Sequence, residues 1–156
     1  MKLVEVDDAI RVCKEHLVNS HANGTEIESY LTQYLVVRIY AAFEERVKSI
    51  VLDCVSKRTK DPFVYAFVQS CLGLVSRSIT TSEISKLLKK FGTEYQDKFR
   101  DKVEGTKAET FFNSIVSRRH ETAHLEKGSS LTFNELERFY EEGHVILDSL
   151  NEVLSS

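Results

Sequence analysis

Five times along the chain a threonine is followed three residues later by Glu or Gln: Thr25 with Glu28, Thr80 with Glu83, Thr93 with Gln96, Thr106 with Glu109 and Thr132 with Glu135. That spacing is the capping box. The threonine hydroxyl accepts from the third helical amide, and the Glu or Gln reaches back to the cap's own amide, so two orphan N–H groups are satisfied together. Ile79 with Ile84 and Leu131 with Leu136 add hydrophobic staples to two of the five. Asp61-Pro62 is a sixth start, an acidic cap followed by a proline at a position whose N–H has no helical partner anyway. Gly24, Gly92, Gly105 and Gly128 stand just before such starts or just past the preceding helix, where glycine commonly ends one. With one proline in the whole chain, so many helix starts leave little room for anything but helices.

The resulting map has seven helices, near 5–19, 25–58, 62–77, 81–91, 94–104, 107–127 and 133–154. Apolar residues in the last recur at three- and four-residue steps (Leu136, Phe139, Tyr140, Ile146, Leu147, Leu150, Leu154), one stripe facing a core. The long second helix spreads its apolar residues over more than one face, as a central helix does. No stretch alternates with the period of a strand. The expected fold is all-α, a single helical bundle of about seven helices, with residues 1–156 forming one domain, a size within the usual range. Aromatics such as Phe63, Tyr65, Phe67, Phe111, Phe112, Phe133, Phe139 and Tyr140 fit core stripes. Cys13, Cys54 and Cys71 lie in apolar stretches and read as buried free thiols.

A net charge of −3 argues against a domain that coats duplex nucleic acid through a basic surface. It leaves room for a site built from a few placed arginines. The start Met1-Lys2-Leu3-Val4-Glu5 has no signal-peptide core, and no apolar run reaches the ~18 residues of a membrane span. A reducing cytoplasm, with no membrane partner, is the expected setting.

Chemistry concentrates in Ser117-Arg118-Arg119-His120-Glu121-Thr122-Ala123-His124, which holds two of the five histidines. His120-Glu121-Thr122-Ala123-His124 matches H-E-x-x-H, in which two histidines a turn apart share a zinc and the Glu activates water. Arg118 and Arg119 on one side would repel a dication, and no edge strand is expected to hold a peptide. A third ligand would have to come from Glu141, Glu142 or His144. The other pattern is Arg119 and His124, an R-x4-H. It pairs a permanent cation with a group that titrates near neutrality, which suits phosphodiester chemistry. The arginine neutralises charge growing on phosphate, and the histidine moves a proton of the attacking or leaving oxygen. RNA carries its own nucleophile, the 2′-OH, so neither metal nor cofactor is required.

Arg119-His120-Glu121-Thr122-Ala123-His124 resembles the R-x4-6-H signature of the HEPN superfamily (higher eukaryotes and prokaryotes nucleotide-binding domains). There a polar residue follows the Arg and a small residue often precedes the His, places filled here by His120 and Ala123. Leu35-Val36-Val37-Arg38-Ile39-Tyr40-Ala41-Ala42-Phe43-Glu44 resembles the long second helix of such domains. The likeness covers roughly residues 25–154 and is closest to the RiboL-PSP and MAE_28990 groups. It implies a homodimer whose two motifs meet in a cleft between protomers. It also implies metal-independent endoribonuclease activity, often in a toxin, phage-defence or RNA-processing setting with an antitoxin or other partner protein. Carried over, Arg119 is the phosphate clamp, His124 the general acid/base and His120 a second polar contact. A supporting glutamate falls on Glu44, or on Glu45 by a one-residue change of register. The tyrosine that some of these toxins carry two residues after the histidine is replaced here by Glu126, so regulation by AMPylation of that site is not expected.

A purely structural account competes: Arg118, Arg119, His120 and His124 would be cations favoured at a helix C-terminus by about 0.3–1 kcal/mol each. A non-catalytic module of the same fold that binds RNA or protein fits that account. His16 and His21 suit a helix end and a loop, and His144 the core or an interface. The clusters Lys57-Arg58-Lys60 and Lys86-Lys89-Lys90 are expected to be solvated faces that could also guide RNA.

Overall fold

The computed structural model describes residues 3–75, 78–123 and 131–156. They form α1 (Val4–Asn19), α2 (Glu26–Arg58), α3 (Pro62–Val75), α4 (Thr81–Lys89), α5 (Thr93–Val103), α6 (Lys107–Ala123), α7 (Phe133–Gly143) and α8 (Val145–Ser155). The architecture is all-helical, and among the described residues there is no strand. No helix among them is long and apolar enough to cross a membrane.

The helix starts show why the cap pattern was legible and where it bends. At α7 the full box is present: Thr132 Oγ1 accepts from Glu135 N while Glu135 returns to Thr132 N. At α2 Thr25 accepts from Ile27 N, and Glu28 reaches past the cap to Gly24 N. α6 uses a similar variant: Thr106 accepts from Glu109 N and Glu109 reaches Gly105 N. Thr80 caps α4, but Glu83 turns to Lys86. Thr93 is already helical, Gly92 holds the cap position, and Gln96 bonds to Ser85 of α4 instead. Asp61 accepts from Phe63 N at the start of α3. α1 closes through His21 at φ 52, with Ala22 N on Leu17 O. A histidine thus takes the left-handed place that usually goes to glycine.

α2 is central, packed by α1, α3, α6, α7 and α8. Leu35, Ile39, Phe43 and Val51 on it are fully enclosed. Phe43 stacks on Phe112 of α6 (centroids 5.1 Å apart) and on Tyr140 of α7 (5.9 Å). Each such buried side chain contributes roughly 1.5–3 kcal/mol.

Two expectations change. The single helix over 133–154 is two, α7 and α8, joined at His144. Gly143 lies so near α6 that a Cβ there would stand 3.3 Å from Phe112 N and Cα. The tight i to i+3 bond from Leu147 N to His144 O marks the break. α3 is the second change: Phe63, Tyr65 and Phe67 are exposed rather than core. Only Leu72 of its described side chains is buried, with Val68 and Cys71 partly so.

Candidate active site

The site begins with the apolar row of α6. Phe112, Ile115 and Val116 are buried against the core, and Arg119 and His120 follow Val116 by three and four residues, so they continue that row at its polar end. The helix that α6 meets there is α2, whose row Val36, Ile39, Tyr40 and Phe43 is buried. The polar end of the α6 row meets the α2 row at one ring. The Arg119 guanidinium lies over the face of Tyr40, 5.0 Å from its centroid, and the His120 ring meets Tyr40 edge-on at 6.5 Å.

Tyr40 is 4% exposed, whereas Arg119 and His120 are half-buried. A guanidinium laid on an aromatic face gains on the order of 0.5–2 kcal/mol and keeps its N–H edges for an anion. Burial pushes the Tyr40 phenol above its ordinary range, the Glu44 carboxylate raises it further, and the Arg119 charge opposes both. Tyr40 therefore stays a neutral platform in the field of one anion and one cation.

Glu44 stands one turn after Tyr40. It is three-quarters buried and accepts from Lys48 Nζ at 2.6 Å. Glu45 is exposed, so of the two glutamates Glu44 is the one turned towards the bundle. Tyr40 lies in the field of both Glu44 and Arg119.

Arg118 diverges from its neighbour, as residues about 100° apart on a helix must. It pairs with Glu121 at 3.2 Å. Its charge also helps hold Glu135 below the usual carboxylate range, after the larger effects of the Thr132 amide and hydroxyl and alongside Arg138. The glutamate of the H-E-x-x-H pattern is thus in an ion pair with a guanidinium, an environment that suits a dication poorly. Glu141 and Glu142 are exposed, and His144 is enclosed by Phe43 and Tyr140 with Nδ1 3.6 Å from Asp148. Among the described residues no cluster of three or more His, Cys, Asp or Glu could hold a metal ion. Burial holds the His144 imidazole below its ordinary range, against the pull of Asp148. His124, the last residue of the R-x4-H motif, lies outside the described residues.

Tyr40 is the residue that motif spacing did not single out. Its signal was available, since it precedes Glu44 by four residues and so shares its side of α2.

A family model described as RiboL-PSP-HEPN matches residues 3–156. No curated protein and no solved structure matches the chain. The match spans nearly the whole sequence and includes both rows that meet at Tyr40, and on it the chain belongs to the RiboL-PSP-HEPN family.

Proposed function

We propose that the chain is a metal-independent endoribonuclease acting as a homodimer, in a toxin, defence or RNA-processing setting. The observation that carries this reading is Arg119 over Tyr40 at 5.0 Å beside His120. It is a half-buried cation on a neutral platform, with an imidazole at the edge of the same ring.

In this reading the RNA 2′-oxygen attacks the adjacent phosphorus and the P–O5′ bond breaks, leaving a 2′,3′-cyclic phosphate and a 5′-hydroxyl. The 2′-OH proton leaves as the new P–O bond forms, and a proton is delivered to the departing 5′-oxygen. His124 is assigned the proton transfers, Arg119 the charge growing on the phosphate oxygens, and His120 a second polar contact. Glu44 acts through Tyr40, as a positioning residue. Membership of the family supports a ribonuclease or nucleotide-related module; the roles of individual residues are our assignment.

The test is cleavage of total cellular RNA by purified protein in excess chelator, with cyclic phosphate ends scored. Arg119→Ala is expected to lower the rate by about 10²–10³, the usual loss when a donor to developing charge is removed. Arg119→Lys should recover only part, because an ammonium lacks the planar fork. Wild type that binds RNA without cutting it, or Arg119→Ala and His124→Ala cutting at the wild-type rate, would overturn the nuclease in favour of a binding module.

A further inference from the structure

The solvent side of the α6–α7 contact carries an aromatic stack that the proposed chemistry does not use. Phe111 of α6 lies on Phe139 of α7, with centroids 4.9 Å apart and planes 20° from parallel. Both residues are only half-buried. The guanidinium of Arg138, an exposed residue, lies over Phe111 at 5.2 Å from its centroid. Local spacing builds this arrangement. Arg138 and Phe139 are neighbours on α7, and Phe111 stands seven residues before Arg118, two turns back on the same face of α6. α7 runs opposite to α6, since Arg138 meets Phe111 while Glu135, three residues earlier, lies in the field of Arg118.

The stack is therefore continuous with the Arg119 site. Arg118 adjoins Arg119 in sequence, and Glu135 feels the charges of both Arg118 and Arg138. Phe111 precedes Arg119 by eight residues, about 12 Å along the helix. The carboxylates on this line are engaged: Glu121 pairs with Arg118, and Glu135 accepts from Thr132 N and Oγ1 at the start of α7. Among the described residues no carboxylate lies within ion-pair distance of Arg138. Arg58, which also lies on a ring, instead spends its N–H groups on Leu154 O and the Tyr95 hydroxyl.

A guanidinium backed by a ring offers a flat face, N–H edges and a positive charge together. It repels a metal ion. An acidic peptide would use the charge and the edges but leave the face idle. A nucleobase with its phosphate uses all three. The base must be free of its own stack to reach that face, so the strand it belongs to is single. Arg119 on Tyr40 has the same construction, but it is half-buried, whereas Arg138 is open to solvent.

We propose that Arg138 on the Phe111–Phe139 stack is a subsite for a base of single-stranded RNA, a short way along the strand from the phosphate at Arg119. The binding is argued from the stack itself; its place beside the scissile phosphate rests on the nuclease reading. The strand follows the α6–α7 seam away from the site, and cleavage favours unpaired stretches.

The experiment is fluorescence anisotropy of a labelled, unstructured RNA of about 12 nucleotides, within the usual site sizes, on the full chain carrying His124→Ala so that nothing is cut during the titration. Arg138→Ala should weaken binding about tenfold, the scale of one stacked base. Phe111→Leu, which fills the same space without a ring, should weaken it as well, with helicity checked by circular dichroism. Arg138→Lys should recover little, because an ammonium has no face. The same strand annealed to its complement should bind less tightly. In protein with His124 intact, Arg138→Ala should raise KM for the single strand more than it lowers kcat. Undiminished binding by Arg138→Ala would overturn the proposal and show that the arginine only shields Phe111 from water. Binding by Arg138→Lys equal to that of the parent would also overturn it, by leaving charge alone at this position. RNA held through Arg138 but not cut by the wild type would remove the nuclease and keep the subsite; RNA cut by the wild type and equally by the Arg138 variants would remove the subsite and keep the nuclease.

Discussion

At Glu28 one carboxylate accepts from two amides that belong to distant parts of the chain, Gly24 N at 2.6 Å and Phe133 N at 2.9 Å. The first bond draws its pKa below the usual glutamate range most strongly, the second draws it further, and slight burial opposes both. A group lowered in the folded state stabilises fully above its unfolded value, about 4.3 for Glu, and loses that contribution as pH falls through the folded value. Glu28→Gln should therefore lower stability at neutral pH by on the order of 1–2 kcal/mol. The gap to wild type should be narrower at pH ~3, below the unfolded value, where falling pH has begun to remove that contribution. Thermal unfolding of both proteins at the two pH values checks this; a gap that does not narrow would mean the carboxylate charge is not what holds the two helix starts together.

For the elements, the informative position is Gly143. Elsewhere in a helix an alanine in its place would stabilise by roughly 0.8–1 kcal/mol. Here the added methyl meets the backbone of Phe112 at 3.3 Å, and Phe112 cannot withdraw because its ring is enclosed on Phe43. Overpacking of this kind costs about 1–3 kcal/mol. Gly143→Ala should consequently lower the melting temperature. A rise would show that α6 and α7 part easily and that helix propensity governs the position. The break between α7 and α8 follows directly after this glycine, a poor helix former, and no residue of the apolar stripe announces it.

For the molecule as a whole, Phe43 joins three helices through stacked rings on α6 and α7, and it lies one turn from Tyr40. Phe43→Ala should cost about 3–5 kcal/mol, a large share of the ~5–15 kcal/mol that keeps a domain folded. Urea unfolding should shift to a lower midpoint with unchanged slope if the contiguous core unfolds as one unit. If the midpoint holds, α2 is not the centre on which the other helices depend.

Helix starts could be read from the sequence because capping is settled within about four residues: a threonine or aspartate meets the amides just ahead of it, whatever surrounds the helix. The R-x4-H spacing of Arg119 and His124 is equally local, so it stood out as a candidate pattern in the sequence. Side-chain partners beyond that range did not. Glu28 on Phe133, Glu109 on Thr81 of α4 and Gln96 on Ser85 each join residues that only packing brings together. Tyr40 became the shared platform because the polar end of the α6 row meets the α2 row there, and a row records its own apolar face without naming the row opposite. α3 shows the same limit from the other side: its sequence is as apolar as a core helix, and only the tertiary structure shows that this chain leaves most of it uncovered. Periodicity tells which side of a helix avoids water; what covers that side depends on how helices distant in sequence are placed, and that was decided only when the chain packed.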